Sequence, residues 1–168
     1  MIPPEMNKLA LRQIISIGVS VLWQCARGYG DTCRARLLLW RYGAQVGRGL
    51  NVNGRLRCFN KGIIQIGRRV TINSGPGRNY VGGDRRMNLW VGRGGRLEIQ
   101  DGDGVSSSTI VAQTSVIIRD GTLIVGGCDI YDTDFHELLA PERNRHGNNI
   151  DLAAVEIGPR VCGEMVEL

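Results

Sequence analysis

The sequence predicts an all-β domain in which short parallel strands wind into a coil, preceded by one N-terminal α-helix. Three observations support this: aliphatic residues recur every six positions, 24 of 168 residues are glycine, and only 5% are aromatic. The glycine share is about twice the usual one and indicates many tight corners, because glycine adopts positive φ without steric cost. The length suits a single domain, perhaps carrying a short helical appendage.

The six-residue unit is an aliphatic residue, often followed by a small residue, then polar positions and another small or aliphatic residue. Six residues make one flat strand and a corner, and three such sides close a triangular coil of about 18 residues. Stacked coils then bury a continuous ladder of Val, Ile and Leu. The alternative is a β-sandwich with evenly spaced strands, but phasing over separated segments favours the coil. The unit is clearest at residues 46–51, 52–57, 66–71, 116–130 and 155–161.

Two stretches depart from the period. Residues 74–86 contain several glycines and Pro76, and residues 138–151 contain Pro141 and the run His-Gly-Asn-Asn at 146–149. Both compositions are typical of irregular loops.

The first 40 residues form the predicted helical segment, and residues 41–168 form the coil domain. Apolar residues between 11 and 26 follow helical spacing. The apolar run is about a dozen residues, whereas a membrane span needs about 20. Gln24-Cys25-Ala26-Arg27 offers no signal-peptidase site. We expect a helix packed on the domain or on a neighbouring subunit, with peripheral membrane contact as the open alternative.

Charge and cysteine content favour a cytoplasmic protein with a mixed-charge surface. The net charge is +5, and arginines supply nearly all of the positive charge. They form no block, so we expect no nucleic-acid partner; a membrane surface or a phosphorylated ligand stays open. The five cysteines are odd in number and lack a CxxC pair, which predicts reduced thiols, most of them buried.

Residues 130–137, Ile-Tyr-Asp-Thr-Asp-Phe-His-Glu, carry a resemblance to a known family. In this repeat setting they resemble the site segment of the hexapeptide acyltransferases, which include maltose, galactoside and capsular-polysaccharide O-acetyltransferases. Segments 72–75, 81–83, 104–106 and 123–128 add to the likeness, which runs from about residue 40 to about residue 161. The resemblance implies a left-handed parallel β-helix, a homotrimer, acetyl-CoA as acyl donor, and a sugar or polysaccharide-precursor hydroxyl as acceptor.

The resemblance also implies roles for individual residues. A sugar hydroxyl is a poor nucleophile, and a neutral imidazole with a pKa near 6.5 is able to accept its proton. His136 is the expected general base, in a cleft between subunits, with Asp134 as its catalytic partner. Asp132, Glu137 and Ser107 are the expected acceptor-binding residues. His146 is interpreted as a loop histidine. Two histidines without paired cysteines predict no metal site, and they exclude a β-helical carbonic anhydrase, which needs three.

The likeness ends near the C-terminus. The family continues past V-x-I-G with further complete coils that form the groove for the acyl donor. Here residues 155–161 fit, and residues 162–168 are expected to lose the phase of the repeat. We therefore expect a domain truncated at its C-terminus, with no residue assigned to acetyl-CoA. The second hypothesis is a non-catalytic β-helix, acting as a scaffold or trimerisation module, or a member lacking the donor site.

Overall fold

The computed structural model describes residues 4–78, 83–135 and 151–163, with side chains described from residue 16 onward. One helix, α1 (Pro4–Arg41), precedes a series of short strands. The strands are β1 (Gln45–Val46), β2 (Asn51–Gly54), β3 (Arg57–Asn60), β4 (Ile63–Ile66), β5 (Thr71–Ser74), β6 (Asn88–Val91), β7 (Arg96–Ile99), β8 (Gly104–Ser106), β9 (Thr109–Ala112), β10 (Ser115–Ile118), β11 (Leu123–Ile124), β12 (Asp129–Tyr131), β13 (Val155–Ile157) and β14 (Cys162–Gly163).

The strands form three parallel sheets, and the chain visits them in turn. The first sheet has the order β1-β4-β7-β10-β13, the second β14-β11-β8-β5-β2, and the third β12-β9-β6-β3. Because consecutive strands always belong to different sheets, the chain winds around a common interior. Every pairing between these strands is parallel, as predicted for stacked coils and unlike the antiparallel β-sandwich.

Inward-facing aliphatic side chains form ladders through the stacked coils. In the second sheet, Val52 pairs with Ile72, and Ile72 with Val105. Strands such as β4, β7 and β10 alternate buried and more exposed residues, the period expected when one face of a sheet is covered. Burial of these residues from every coil is the main contribution to the stability of the domain. The other ladders include Leu89 with Ile110, Leu97 with Val116, and Ile99 with Ile118.

The regular coils are slightly longer than the predicted 18 residues. Gln45 and Gln65 are bonded on adjacent coils 20 residues apart, and Asp101 and Asp120 are 19 residues apart. The extra length arises at the corner between the first and second sheets, where four residues separate the strands, as between β4 and β5. In successive coils this corner has a residue with positive φ: Gly49, Arg69, Gly102, Gly121 and Arg160.

Two insertions interrupt the coils where the sequence departs from its period. Arg68 and Asp101 bond across adjacent coils although 33 residues separate them, because residues 75–87 lie between β5 and β6. This confirms the departure predicted at residues 74–86. Arg119 and Glu156 are 37 residues apart, which shows a second insertion between β12 and β13. Of the loop predicted at 138–151, all but Asp151 lies outside the described residues.

The C-terminal half of α1 covers the first coil. The Thr32 hydroxyl accepts the Val52 N–H at 2.9 Å and donates to the Val52 carbonyl at 3.2 Å. The Asp31 carboxylate accepts the Gly54 N–H at 2.9 Å. These bonds satisfy backbone groups of β2, which is the edge strand of its sheet and would otherwise leave them unpaired. Leu39 is fully buried against the core.

The side chains of residues 16–27 on α1 are all exposed, and Leu22 retains 72% of its surface. Within one chain the domain does not bury residues 16–26, so the expected packing on the domain is not seen there. Packing on a neighbouring subunit and peripheral membrane contact stay predictions. Within the described residues, α1 has no stretch long and apolar enough to cross a bilayer.

Two other expectations need correction. Most cysteines were expected to be buried, but only Cys58 is, while Cys25, Cys33 and Cys162 are exposed. All five are free thiols, and burial raises the pKa of Cys58 to about 11. The expected loss of phase from residue 162 is wrong for β14, since Cys162 and Gly163 pair in register with Leu123 and Ile124.

Candidate functional site at the end of the third sheet

The segment that carries the family resemblance begins on β12, which ends the third sheet among the described residues. Ile130 pairs with Ile110 and packs against the core, so Asp129 and Tyr131 face outward. The chain then turns at Asp132 and leaves the regular coil. The strand thus fixes where the loop that follows begins.

Asp132 anchors this turn. Its side chain keeps only 2% of its surface exposed. Its carboxylate accepts backbone N–H bonds from Gln113 at 2.7 Å, Thr114 at 2.6 Å and Ser115 at 2.7 Å. Bonds of this kind, to a charged acceptor, are among the stronger ones in proteins. The geometry therefore gives this predicted acceptor ligand a structural role in the single chain.

The base of the loop is also closed on its return side. Thr133 forms an antiparallel bridge with Leu152, and the Ala153 N–H bonds to the Asp132 carbonyl at 3.2 Å. Asp134, the expected catalytic partner, has an exposed side chain, and its N–H points to the Asp151 carbonyl at 3.4 Å. The expected base His136 and the expected acceptor ligand Glu137 lie outside the described residues, as does His146.

Phe135 holds a strained conformation. Its φ is 61°, a value that costs a bulky side chain on the order of 1–3 kcal/mol. Two contacts hold it: its N–H bonds to the Thr133 hydroxyl at 3.2 Å, and its ring meets Tyr131 edge-on at 5.1 Å. Such strain persists only where surrounding contacts enforce it, and it recurs at active sites and ligand clamps. Here it falls on the last described residue before His136.

An outward-facing aromatic strip lies beside this turn. Phe59, Trp90, Val111 and Tyr131 occupy the same register position on β3, β6, β9 and β12. Phe59 and Trp90 are stacked with their ring centres 5.5 Å apart. The strip ends at Phe135, which is half exposed. Together these residues give the third sheet an apolar outer face that leads to the loop.

Charged and polar groups border the end of the strip. Arg85, from the first insertion, bonds to the Asp129 carboxylate at 2.7 Å and to the Gly127 carbonyl at 3.1 Å. Partial burial, and secondarily the nearby Asp129, raise the pKa of Tyr131. The site therefore combines aromatic surface with a carboxylate, a guanidinium and a phenol.

Ser107, the other expected acceptor ligand, lies at a different corner. It sits between β8 and β9 with φ of 42° and is fully buried. Its hydroxyl has no hydrogen-bond partner among the described residues. Asp132 lies at the far end of β9, next to residues 113–115. One chain alone thus brings Asp132 and Asp134 together but not Ser107.

Sequence inspection missed several residues of this site. Arg85 comes from an irregular insertion, and Trp90 lies 40 positions before the start of the motif at Ile130, so no local pattern links them to it. Tyr131 and Phe135 were part of the motif, and the signal for them was their position beside Asp132 and Asp134. Asp129 directly precedes the motif and was passed over as a repeat position.

The described residues contain no group of three His, Cys, Asp or Glu side chains arranged to hold a metal ion. Comparison with family models, curated proteins and solved structures finds no match for this chain.

Proposed function

We propose that this chain is an O-acetyltransferase with a left-handed parallel β-helix, which transfers an acetyl group from acetyl-CoA to a hydroxyl of a sugar or polysaccharide precursor. His136 acts as general base and Asp134 as its partner, in a cytoplasmic homotrimer. The observation that carries the proposal is the strained Phe135 at a braced turn, directly before His136. The left hand of the coil and the trimer rest on the family resemblance.

The braced turn suits a catalytic base. Three backbone bonds hold Asp132, and the Thr133–Leu152 bridge closes the loop behind it. A general base must keep a set distance from the hydroxyl that it deprotonates, so the residues before it need a rigid support. As the hydroxyl oxygen attacks the thioester carbonyl, its proton passes to the imidazole. The imidazolium then returns that proton to the sulfur as the C–S bond breaks, so coenzyme A leaves as the thiol and the base is regenerated.

The aromatic strip suits a carbohydrate acceptor. Sugar rings present C–H faces that pack against aromatic rings, while their hydroxyls need polar partners at the edge. Trp90, Tyr131 and Phe135 supply the aromatic rings, and Asp129 and Arg85 supply the polar partners. This combination favours a sugar over a purely apolar acceptor.

The decisive test compares two histidine variants. With acetyl-CoA and a panel of sugar acceptors, release of free coenzyme A is measured for the native chain, His136→Ala and His146→Ala. We expect His136→Ala to lose roughly 100-fold to 10,000-fold in turnover, the usual contribution of a general base, and His146→Ala to stay close to native. Circular dichroism establishes that both variants are folded. Native turnover in folded His136→Ala would eliminate the mechanism.

A non-catalytic scaffold is the second candidate, and one observation favours it. Two of the residues expected to bind the acceptor, Asp132 and Ser107, are buried within the chain. This candidate predicts that folded protein neither binds acetyl-CoA in a calorimetric titration nor gains thermal stability from coenzyme A. Saturable binding of acetyl-CoA would exclude it.

A further inference from the structure

A cleft rich in arginine lies between α1 and the corner that joins the second and third sheets. Its volume is about 410 Å³. None of its lining residues belongs to the candidate site described above. Five arginines line it, from three separate parts of the chain: Arg27 and Arg34 on α1, Arg55 after β2, and Arg78 and Arg86 in the first insertion.

Asp31 organises the floor of the cleft. Its side chain is largely buried, and one carboxylate oxygen accepts both the Gly54 N–H at 2.9 Å and Arg78 at 2.8 Å. Its other oxygen lies 3.7 Å from Arg34. The single acidic side chain lining the cleft is therefore already engaged, which leaves the other guanidinium groups to face the opening.

Two glycines with positive φ lie in the wall of the cleft. Gly54 has a φ of 100°, and a Cβ there would clash with the Ser74 carbonyl oxygen and lie 3.2 Å from the Arg78 Cγ. Gly75 has a φ of 94°, and a Cβ there would lie 3.7 Å from the Arg86 Cγ, an ordinary contact distance. The stems of Arg78 and Arg86 therefore lie beside these two glycines.

The charge in the cleft is strongly unbalanced. Arg27, Arg55 and Arg86 are exposed, and none of them forms a salt bridge with an acidic side chain among the described residues. Five guanidinium groups against one carboxylate repel one another, and a bound anion would relieve that cost. Guanidinium forks match phosphate oxygens in pairs, and this volume lies within the usual range for ligand pockets.

We propose that this arginine cleft binds a phosphorylated ligand through its diphosphate group. Arg27, Arg55 and Arg86 contact the phosphate oxygens. Arg34 and Arg78 pair with Asp31 and so stabilise the shape of the cleft. The inference stands apart from the proposed acetyl transfer, because it concerns binding at a separate place. The diphosphate belongs either to a soluble molecule or to a lipid, since exposed Trp23 lies one helical turn from Arg27.

The test is a calorimetric titration of inorganic pyrophosphate into the full chain at fixed ionic strength. The cleft variant is Arg27→Gln/Arg86→Gln, since both side chains are exposed and their loss leaves the Asp31 contacts in place. The matched control is Arg48→Gln/Arg93→Gln, which removes the same charge from exposed positions outside the cleft. We expect saturable binding to weaken about 10-fold or more in the cleft variant and less than about 2-fold in the control. If the double variant unfolds, Arg27→Gln alone replaces it.

A second arm identifies the source of the diphosphate. Phosphatidylcholine vesicles containing a lipid diphosphate, such as a polyprenyl diphosphate, are mixed with the chain, with and without excess pyrophosphate. If the chain binds these vesicles, if pyrophosphate displaces it from them, and if the cleft variant no longer binds them, the diphosphate belongs to a lipid. Pyrophosphate binding without vesicle binding assigns it to a soluble ligand. The proposal is overturned if pyrophosphate does not bind, or if both double variants weaken it equally.

Discussion

Asp132 and Asp103 both lie at corners of the coil, with 2% and 1% of their surfaces exposed, yet their surroundings differ. The Asp132 carboxylate accepts three backbone N–H bonds. At Asp103, one oxygen accepts the Thr122 N–H at 2.8 Å, and the other has no partner among the described residues. Both corners thus bury a carboxyl group, but only the corner at Asp132 supplies hydrogen-bond donors to both of its oxygens.

The difference affects the charge state of Asp103. Burial raises the pKa of Asp103 to about 6, and the nearby Asp120 adds to the increase, while the N–H groups of Thr122 and Gln100 oppose it. Asp103 stands on a ladder position that Val70 occupies one coil earlier, so an ionisable group has replaced an aliphatic one in the core. Donor number, more than depth of burial, decides whether a corner accommodates a carboxylate.

The largest effect that we expect from this comparison is at Asp132. Asp132→Ala leaves three partly buried backbone N–H groups without their acceptor and should destabilise the fold by about 3 kcal/mol, roughly 1 kcal/mol for each N–H. Denaturant unfolding at pH 7 measures this. Asp134→Ala is the control two residues away; its exposed side chain predicts a change within about 0.5 kcal/mol. Equal unfolding midpoints for Asp132→Ala and the native chain would show that the corner does not depend on this carboxylate.

A smaller effect is expected from titration of Asp103. Its pKa lies at about 6 in the folded chain against an ordinary 3.8, so between about pH 4 and pH 6 the folded state binds more protons than the unfolded state. Stability should therefore fall as pH rises through this window, by no more than about 3 kcal/mol, and then level off. Asp103→Asn should lack this fall.

The comparison with Asp103→Asn isolates that one group. Arginine side chains that bond to Glu98 and Glu156 lower the pKa values of these carboxyl groups. The pKa of Asp101 is lowered by the Arg68 backbone N–H and, next, by the Arg68 side chain. These three carboxylates contribute stability that is lost as the pH falls, the opposite of the trend expected from Asp103. Their contribution is the same in the native chain and in Asp103→Asn, so it cancels in the difference between them. A difference curve between native and Asp103→Asn that is flat from pH 4 to pH 6 would contradict the assignment.

The sequence was informative where structure depends on local alternation. Aliphatic residues six positions apart predicted inward-facing ladders, and residues such as Val52, Ile72 and Ile118 occupy them. The break at residues 74–86 was visible because glycine and proline interrupt that pattern. Asp132 and Asp134 were found by their motif, and the strand before them places both at one turn.

Other features depend on which coils stack, and no short window of sequence contains that information. Asp101 lies one coil after Arg68, and its carboxylate accepts the N–H of Arg68, which comes 33 residues earlier in the sequence. The three donors to Asp132 come from 17 to 19 residues earlier. The exposure of residues 16–27 on α1 was equally unpredictable from the sequence. Helical spacing of apolar residues indicates that the helix has an apolar face, but it does not indicate what covers that face.

The smallest change in stability is expected from substitutions at the corner that precedes Asp103, where the effect of backbone conformation can be measured apart from that of side-chain contacts. Gly102 has φ of 77°, and a Cβ there would meet nothing within 4 Å, so Gly102→Ala tests conformational strain alone. We expect a loss of about 1 kcal/mol in denaturant unfolding at pH 7. Arg69 holds the equivalent position one coil earlier with φ of 55°.

For Arg69→Gly, relief of strain in the folded chain is offset by greater freedom of the unfolded chain, so we expect a net change within about 0.5 kcal/mol. The two variants should therefore differ in stability although they alter the same corner. If Gly102→Ala is as stable as the native chain, the corner does not enforce a positive φ.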